Sequence, residues 1–305
     1  MMTSRFSALW LLAMLPLAAQ PLQVAGPIAG LVFDSESAAI RPILGVPGAA
    51  HVGDALVDGL EWASVAPGGK SALAVKGGAL YVLGGLDGAS PTWTPLEGGL
   101  GRPELAAWNA GGSAAVLYWA AAGRLQVVDQ SGAHAPIKVE GRVTALALDS
   151  SGERAVAGLE GGLYLLTGEG PPVLLARLIE PAGITIAGPD LFVADRASGQ
   201  ILEVRDFAGT PKALPLAEAG DPVGLALVRG RLLVASRSRK SLDVYDLASR
   251  TLAAQIDLEA EPSTLEPLSA TLLLLSGRAR GLDALLVVET SRDPGVFFVP
   301  AGRGE

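Results

Sequence analysis

After residue 60 the apolar residues fall in short runs divided by Gly, Pro, Asp and Ser, and helical spacing is not sustained. The runs recur in a fixed order. A lead opens each unit: "EWASVAPGG", "ELAAWNAGG", "RVTALALDSSG", "EPAGITIAG", "DPVGLALVRG" and "EPSTLEPLS". A second run follows a turn ("ALAV", "AVLYWA", "RAVAG", "LFVAD", "LLVAS", "LLLLS"), and a third follows a polar loop ("LYVLG", "LQVVD", "LYLL", "ILEVRD", "LDVYD", "LLVVE"). A fourth closes the unit ("TWTPL", "APIKV", "VLLARL", "PKALPL", "TLAAQI", "VFFVP"). The first residues of the leads are Glu61, Glu104, Arg142, Glu180, Asp221 and Glu261, at intervals of 43, 38, 38, 41 and 40 residues.

Four short Val- and Leu-rich strands per repeat predict one small antiparallel sheet per repeat. A lone four-stranded sheet cannot bury both faces, whereas radial packing of similar sheets buries them and leaves only short edges. The predicted fold is therefore all-β, a β-propeller with six complete four-stranded blades plus an N-terminal hairpin. A pair of two-sheet sandwiches is the alternative. The hairpin is "LVFDSESAAIRPIL", residues 31–44, which aligns with "DVYDLASRTLAAQI", residues 243–256, and so reads as a third and fourth strand. Either the ring has six blades and an extra hairpin, or it has seven with one irregular. In the second case residues 45–60 are candidates for the missing inner strands.

The repeats resemble the NHL and YVTN-type propeller families. "LFVADRASGQILEV" is similar to the NHL strand-loop-strand, and "LLVASRSRKSLDVYDLASRTL" to a YVTN repeat that returns through the turn at "YDLAS". The resemblance implies the fold more than a function, because such propellers host ligand binding, protein docking and several enzymes. Two enzyme types of this architecture are not matched. The Glu, Asn and Asp metal set of gluconolactonase-like propellers meets a chain whose one asparagine is Asn109. The catalytic histidine of streptogramin-lyase-like propellers has only His51 and His134 as candidates, both in Gly/Ala loops without a motif.

Ahead of the repeats, Met1–Arg5 is a short basic start and residues 6–18 are an apolar run, followed by "PLAAQP". This reads as a secretory signal over residues 1–20, cut between Ala18 and Ala25, with one propeller domain over residues 21–305. The expected destination is the periplasm or the exterior. No later apolar run is long enough to span a bilayer.

Composition narrows the chemistry. The formal charge of −8 disfavours nucleic acid and anionic membranes as partners. With no cysteine, disulfides, thiolate metal sites and cysteine nucleophiles are excluded. With two histidines and no G-x-S-x-G elbow, histidine-cluster metals and a hydrolase triad lose their support. Two charged sets remain. The acidic leads Glu61, Glu104, Glu180, Asp221 and Glu261 should ring one mouth of the channel, a candidate site for Ca²⁺ or a cationic ligand. Arg196, then Arg237, Arg239 and Lys240, then Arg278 and Arg280 follow the second strands of three consecutive repeats. They should form a basic arc on that same face for an anion or an acidic partner. The expectation is an exported binding or scaffolding module for a protein or small ligand, with no cofactor other than a possible Ca²⁺. A propeller hydrolase or lyase working at the acidic mouth is the alternative, and a structural role in an envelope assembly a third reading.

Overall fold

The computed structural model describes residues 26–88, 90–168, 170–276 and 284–301. It is a seven-bladed β-propeller. Six blades follow the repeats at residues 62–95, 105–138, 143–176, 181–218, 222–257 and 266–299; we number these blades 2 to 7. Blade 5, for example, runs through Pro181–Ala187, Asp190–Asp195, Gln200–Arg205 and Lys212–Glu218, each paired antiparallel with the next. Blade 3 departs only at its outer edge, which is split into Gly132–Ala133 and Ile137–Lys138.

Strand position explains the hydrophobic pattern. The first strands of successive blades lie against one another around the axis. Second and third strands are covered on both faces by neighbouring blades. They are therefore continuous apolar runs rather than alternating ones: Ala114–Trp119 is buried throughout, as is Ala155–Leu159. Outer strands face solvent, and Thr251–Asp257 is exposed over most of its length. The core lies between blades. One cluster joins Val156, Leu163 and Leu175 of blade 4 to Leu191, Val193 and Val204 of blade 5. Another joins Leu233, Ala235 and Val244 of blade 6 to Leu273, Leu275 and Leu286 of blade 7.

Close approach near the axis requires glycine. A Cβ on Gly224 would lie 2.6 Å from the backbone nitrogen of Leu265 in the next blade. One on Gly183 would lie 3.2 Å from Gly224 Cα. The recurrent small residues of the leads are thus a packing requirement.

Blade 1 is the irregular one, and its strands differ from the sequence expectation. It consists of Ile28–Asp34, Ala39–Leu44 and His51–Val52, paired in that order, with Val57 bridging Ile40. The hairpin is not a third and fourth strand. Its turn lies at the start of the next blade, where the Leu60 amide donates to the Ala38 carbonyl (2.8 Å) just before Glu61. Ile28–Asp34 therefore runs in the direction of a second strand, and Ala39–Leu44 in that of a third. Residues 45–60 supply the outer strand rather than inner ones. The seam with blade 7 is closed by side chains, including Val32, Ile43 and Val52 against Leu272, Leu285 and Val299. One hydrogen bond from the Val52 amide to the Pro300 carbonyl (3.1 Å) crosses it.

Among the described residues, no helix is long and apolar enough to cross a membrane. The signal segment at residues 1–20 lies outside the described residues.

Candidate functional site: the blade-entry face

Each lead stands where the chain enters an innermost strand, so the leads and the loops between second and third strands share one face. The side chains of four acidic leads, Glu61, Glu104, Glu180 and Asp221, turn to the loop of their own blade. The Gly78 amide donates to Glu61 Oε1 (2.9 Å), and the Ala120 amide to Glu104 Oε2 (2.8 Å). In blades 5 and 6 an arginine takes the place of the amide. Arg196 Nη1 donates to Glu180 Oε1 at 3.2 Å, and Arg237 Nη1 pairs with Asp221 Oδ2 at 3.5 Å. The same loops are fixed through the backbone, with Arg196 N donating to Glu180 O (2.8 Å) and Arg237 N to Asp221 O (3.0 Å).

Arg196 also crosses to the next blade, its Nε lying 3.3 Å from Asp221 Oδ1. Glu180, Arg196, Asp221 and Arg237 therefore form an alternating chain of charge over blades 5 and 6. Arg239 turns outward along blade 6, where it meets the buried Asp243 at 3.6 Å. Lys240 is exposed, with no carboxylate in ion-pair range among the described residues. The two sets expected from sequence, an acidic ring and a basic arc, are thus largely each other's partners in this part of the ring. Arg278 and Arg280 lie outside the described residues. Glu261 and Arg142 are exposed. Among the described residues, no group of three or more His, Asp or Glu side chains is gathered to hold a metal ion.

Several further residues that matter here belong to neither of the two charged sets. Asp195 is buried at the end of its strand, where it accepts from the amides of Ile179 (3.0 Å), Glu180 (2.8 Å) and Ala197 (3.3 Å). Burial pushes its carboxyl up. The amides of Ile179 and Glu180, the Ser198 hydroxyl and the Ala197 amide outweigh that and hold it below the usual 3.8. In blade 6 the equivalent Ser236 ties down the corresponding linker, the one into blade 6, as a donor: its hydroxyl donates to Gly220 O at 2.9 Å. Ile179, whose amide Asp195 holds, has a side chain left in solvent, 65% exposed. On the outer side of the same blade pair, Glu203 of blade 5 is buried and clamped between Arg205 (3.1 Å) and Arg250 of blade 6. Burial raises its pKa, but the two guanidiniums lower it further, leaving it below the usual 4.5.

The histidines stand apart from this face. His134 Nε2 meets Asp129 Oδ2 at 2.8 Å, across a loop that Ser131 also closes by donating to Asp129 Oδ1 at 2.6 Å. The serine and the histidine each bond the carboxylate rather than one another, which is not the relay a nucleophile needs. His51 is exposed on the short outer strand of blade 1.

The fold has relatives among solved structures. The chain is similar to a functionally unknown protein from Desulfotomaculum acetoxidans (TM-score 0.61, 13% identity), with 90% of this chain and 99% of that one covered. It is also similar to a chain of a nidogen/laminin complex (TM-score 0.51, 14% identity), with 75% of this chain and 93% of that one covered. No protein-family model matches the sequence, and no curated protein matches it. The NHL and YVTN resemblance therefore remains one of local pattern on a shared fold.

Proposed function

We propose that the protein is an exported binding module whose working surface is the entry face over blades 5 and 6. One observation carries this reading. A large apolar side chain, Ile179, is 65% exposed one residue before Glu180, whose carboxylate opens the charge chain Glu180–Arg196–Asp221–Arg237 over two blades. An exposed apolar anchor rimmed by fixed polar groups suits a protein partner, because little ordering is left to do on binding. Lys240 and the half-exposed Arg237 and Arg239 then select acidic groups at the edge of the contact.

A pull-down of the mature chain against secreted and envelope proteins identifies the partner. Ile179→Asp should weaken its capture at least about tenfold, the scale of a lost interface anchor. Replacing Arg239 and Lys240 together by Ser should flatten the salt dependence of binding, since exposed charges are screened within about 8 Å at physiological ionic strength. Unchanged affinity in both variants would place the binding surface elsewhere.

A further inference from the structure

Among the described residues, six other than glycine have positive φ: Ala38, Asp206, Asp221, Arg229, Lys240 and Arg250. Their backbone lies in the left-handed region, which strains any residue that carries a Cβ. All but Ala38 are charged, and four of these use the side chain inside the fold. Asp206 accepts from the Thr210 amide (2.8 Å), and Asp221 pairs with Arg196 and Arg237. Arg229 donates to the Ser291 carbonyl after the third strand of blade 7, and Arg250 to Glu203 of blade 5. Lys240 differs. It is exposed, and its ammonium has no hydrogen-bond or ion-pair partner among the described residues.

The fold does not ask for a lysine at this place. The Lys240 carbonyl accepts from Leu258 N (2.7 Å), as Gly199 O accepts from Ala219 N (2.7 Å) and Gly123 O from Val139 N (2.9 Å). The three residues hold one position in blades 6, 5 and 3, each with positive φ, and the other two are glycine. A Cβ on Gly199 would lie 2.6 Å from the Ala219 carbonyl oxygen, and one on Gly123 would lie 3.2 Å from that of Val139. The position resists a side chain. A residue that strains the backbone and gives nothing back to the fold is there for what its side chain meets outside.

The surroundings of Lys240 select the ligand. A Cβ on Gly220 would meet Ser238 Oγ at 2.6 Å and Arg239 Cγ at 3.0 Å, so the loop sits directly on the linker into blade 6. Within it, Lys240 N donates to Arg237 O (3.1 Å). The guanidiniums of Arg237 and Arg239, whose forks would suit a phosphate, are turned to Asp221 and Asp243. Lys240 is left as a point charge. Exposed Glu218 and Glu259 stand on the linkers either side of the loop. The Glu218 carbonyl lies 3.5 Å from Arg239 Nη1, and Glu259 follows the Leu258 that Lys240 holds. Their field disfavours a dianion, whereas a single carboxylate neutralises a single ammonium.

We propose that the blade 6 entry loop is a carboxylate site centred on Lys240, which pairs with an acidic side chain of a protein partner. This rests on the docking surface proposed above and narrows it. Lys240 makes the direct contact, while Arg237 and Arg239 hold the loop and add to its field.

The probe is a fluorescently labelled hexaglutamate peptide, its binding to the whole exported chain read by anisotropy at low salt. Lys240→Gly should weaken binding about fivefold, the upper end for an exposed ion pair. Lys240→Arg keeps the charge and should stay close to the unmodified chain. Acetate should displace the peptide at least as well as inorganic phosphate at matched ionic strength. With the strain relieved, Lys240→Gly should also melt about 2 °C higher. The proposal is overturned if the unmodified chain does not bind the peptide, or if Lys240→Gly binds it equally well. A lower Tm in Lys240→Gly, or stronger displacement by phosphate, overturns it too. Peptide binding lost in Lys240→Gly while partner capture survives Ile179→Asp keeps this site and moves the wider docking surface elsewhere. The reverse keeps the docking surface and overturns this site.

Discussion

Asp195 shows how a residue that looks catalytic serves as a fastener. Its strand end and the polar loop after it read in isolation like an acid poised beside an arginine. In the fold its two oxygens are spent on amides of the incoming linker, and Arg196 points to Glu180 and Asp221 instead. That role was partly legible, since serines hold the equivalent place in the next two repeats and a unique chemistry would not be interchangeable in this way. The identity of its partners was not, because they are backbone groups placed only by the blade path. Asp195→Asn keeps one acceptor and loses the other, leaving an amide of the linker without its bond. The variant should lose about 1–3 kcal/mol in denaturant titration at neutral pH. The carboxyl titrates below its ordinary value in the folded state, so its stabilisation is present above that value and is lost as pH falls through the depressed folded one. The wild-type chain should therefore lose stability on acidification below about pH 4, and the variant should lose less over the same interval. An unchanged acid limb would count against the assignment.

At the scale of the strand and the turn, pattern was a good guide to what forms and a poor one to where it sits. The misplaced hairpin has a physical cause. The turn from Asp34 to Ala38 and that from Asp246 to Arg250 are built alike. In each a Ser hydroxyl bonds the leading Asp (Ser37 to Asp34 at 2.7 Å, Ser249 to Asp246 at 2.9 Å), and a left-handed residue closes it. One joins a second strand to a third; the other joins a third to a fourth. Local chemistry fixes a turn, whereas rank within a blade depends on which neighbours cover it. The small residues of the leads were visible as a motif, and only the ring reveals their purpose. Gly224→Ala would press a methyl group into the Leu265 backbone of the next blade. It should cost about 1–3 kcal/mol, read as a lowered Tm. Gly295 has open space around its Cβ position, so the same substitution there should leave the Tm nearly unchanged and serves as the control.

For the molecule as a whole, the repeat interval gave the architecture, and the choice between six blades and seven waited on blade 1, whose three described strands do not follow the repeat. The charged face was legible as an inventory of residues but not as an arrangement. Counting along the chain separates Arg196 from Asp221 by two strands and a linker, and only the step from blade 5 to blade 6 makes them partners. Export is a property of the whole chain too. Protein recovered outside the cytoplasm should be shorter than its full-length form by roughly twenty residues in an intact-mass measurement. An intact Met1 on that material would remove the export reading. The seam between blades 7 and 1 has a different kind of consequence. It is held as the other inter-blade contacts are, by apolar side chains from two sheets, with one backbone hydrogen bond added among the described residues. No sheet would have to be torn for the circle to admit another member. Tandem duplication or loss of one unit in the gene would then change the circumference rather than destroy the fold, each unit bringing both of the surfaces its neighbours require. The close likeness of the lead segments at Glu180 and Asp221 is what a lineage that grew by such copying would leave behind.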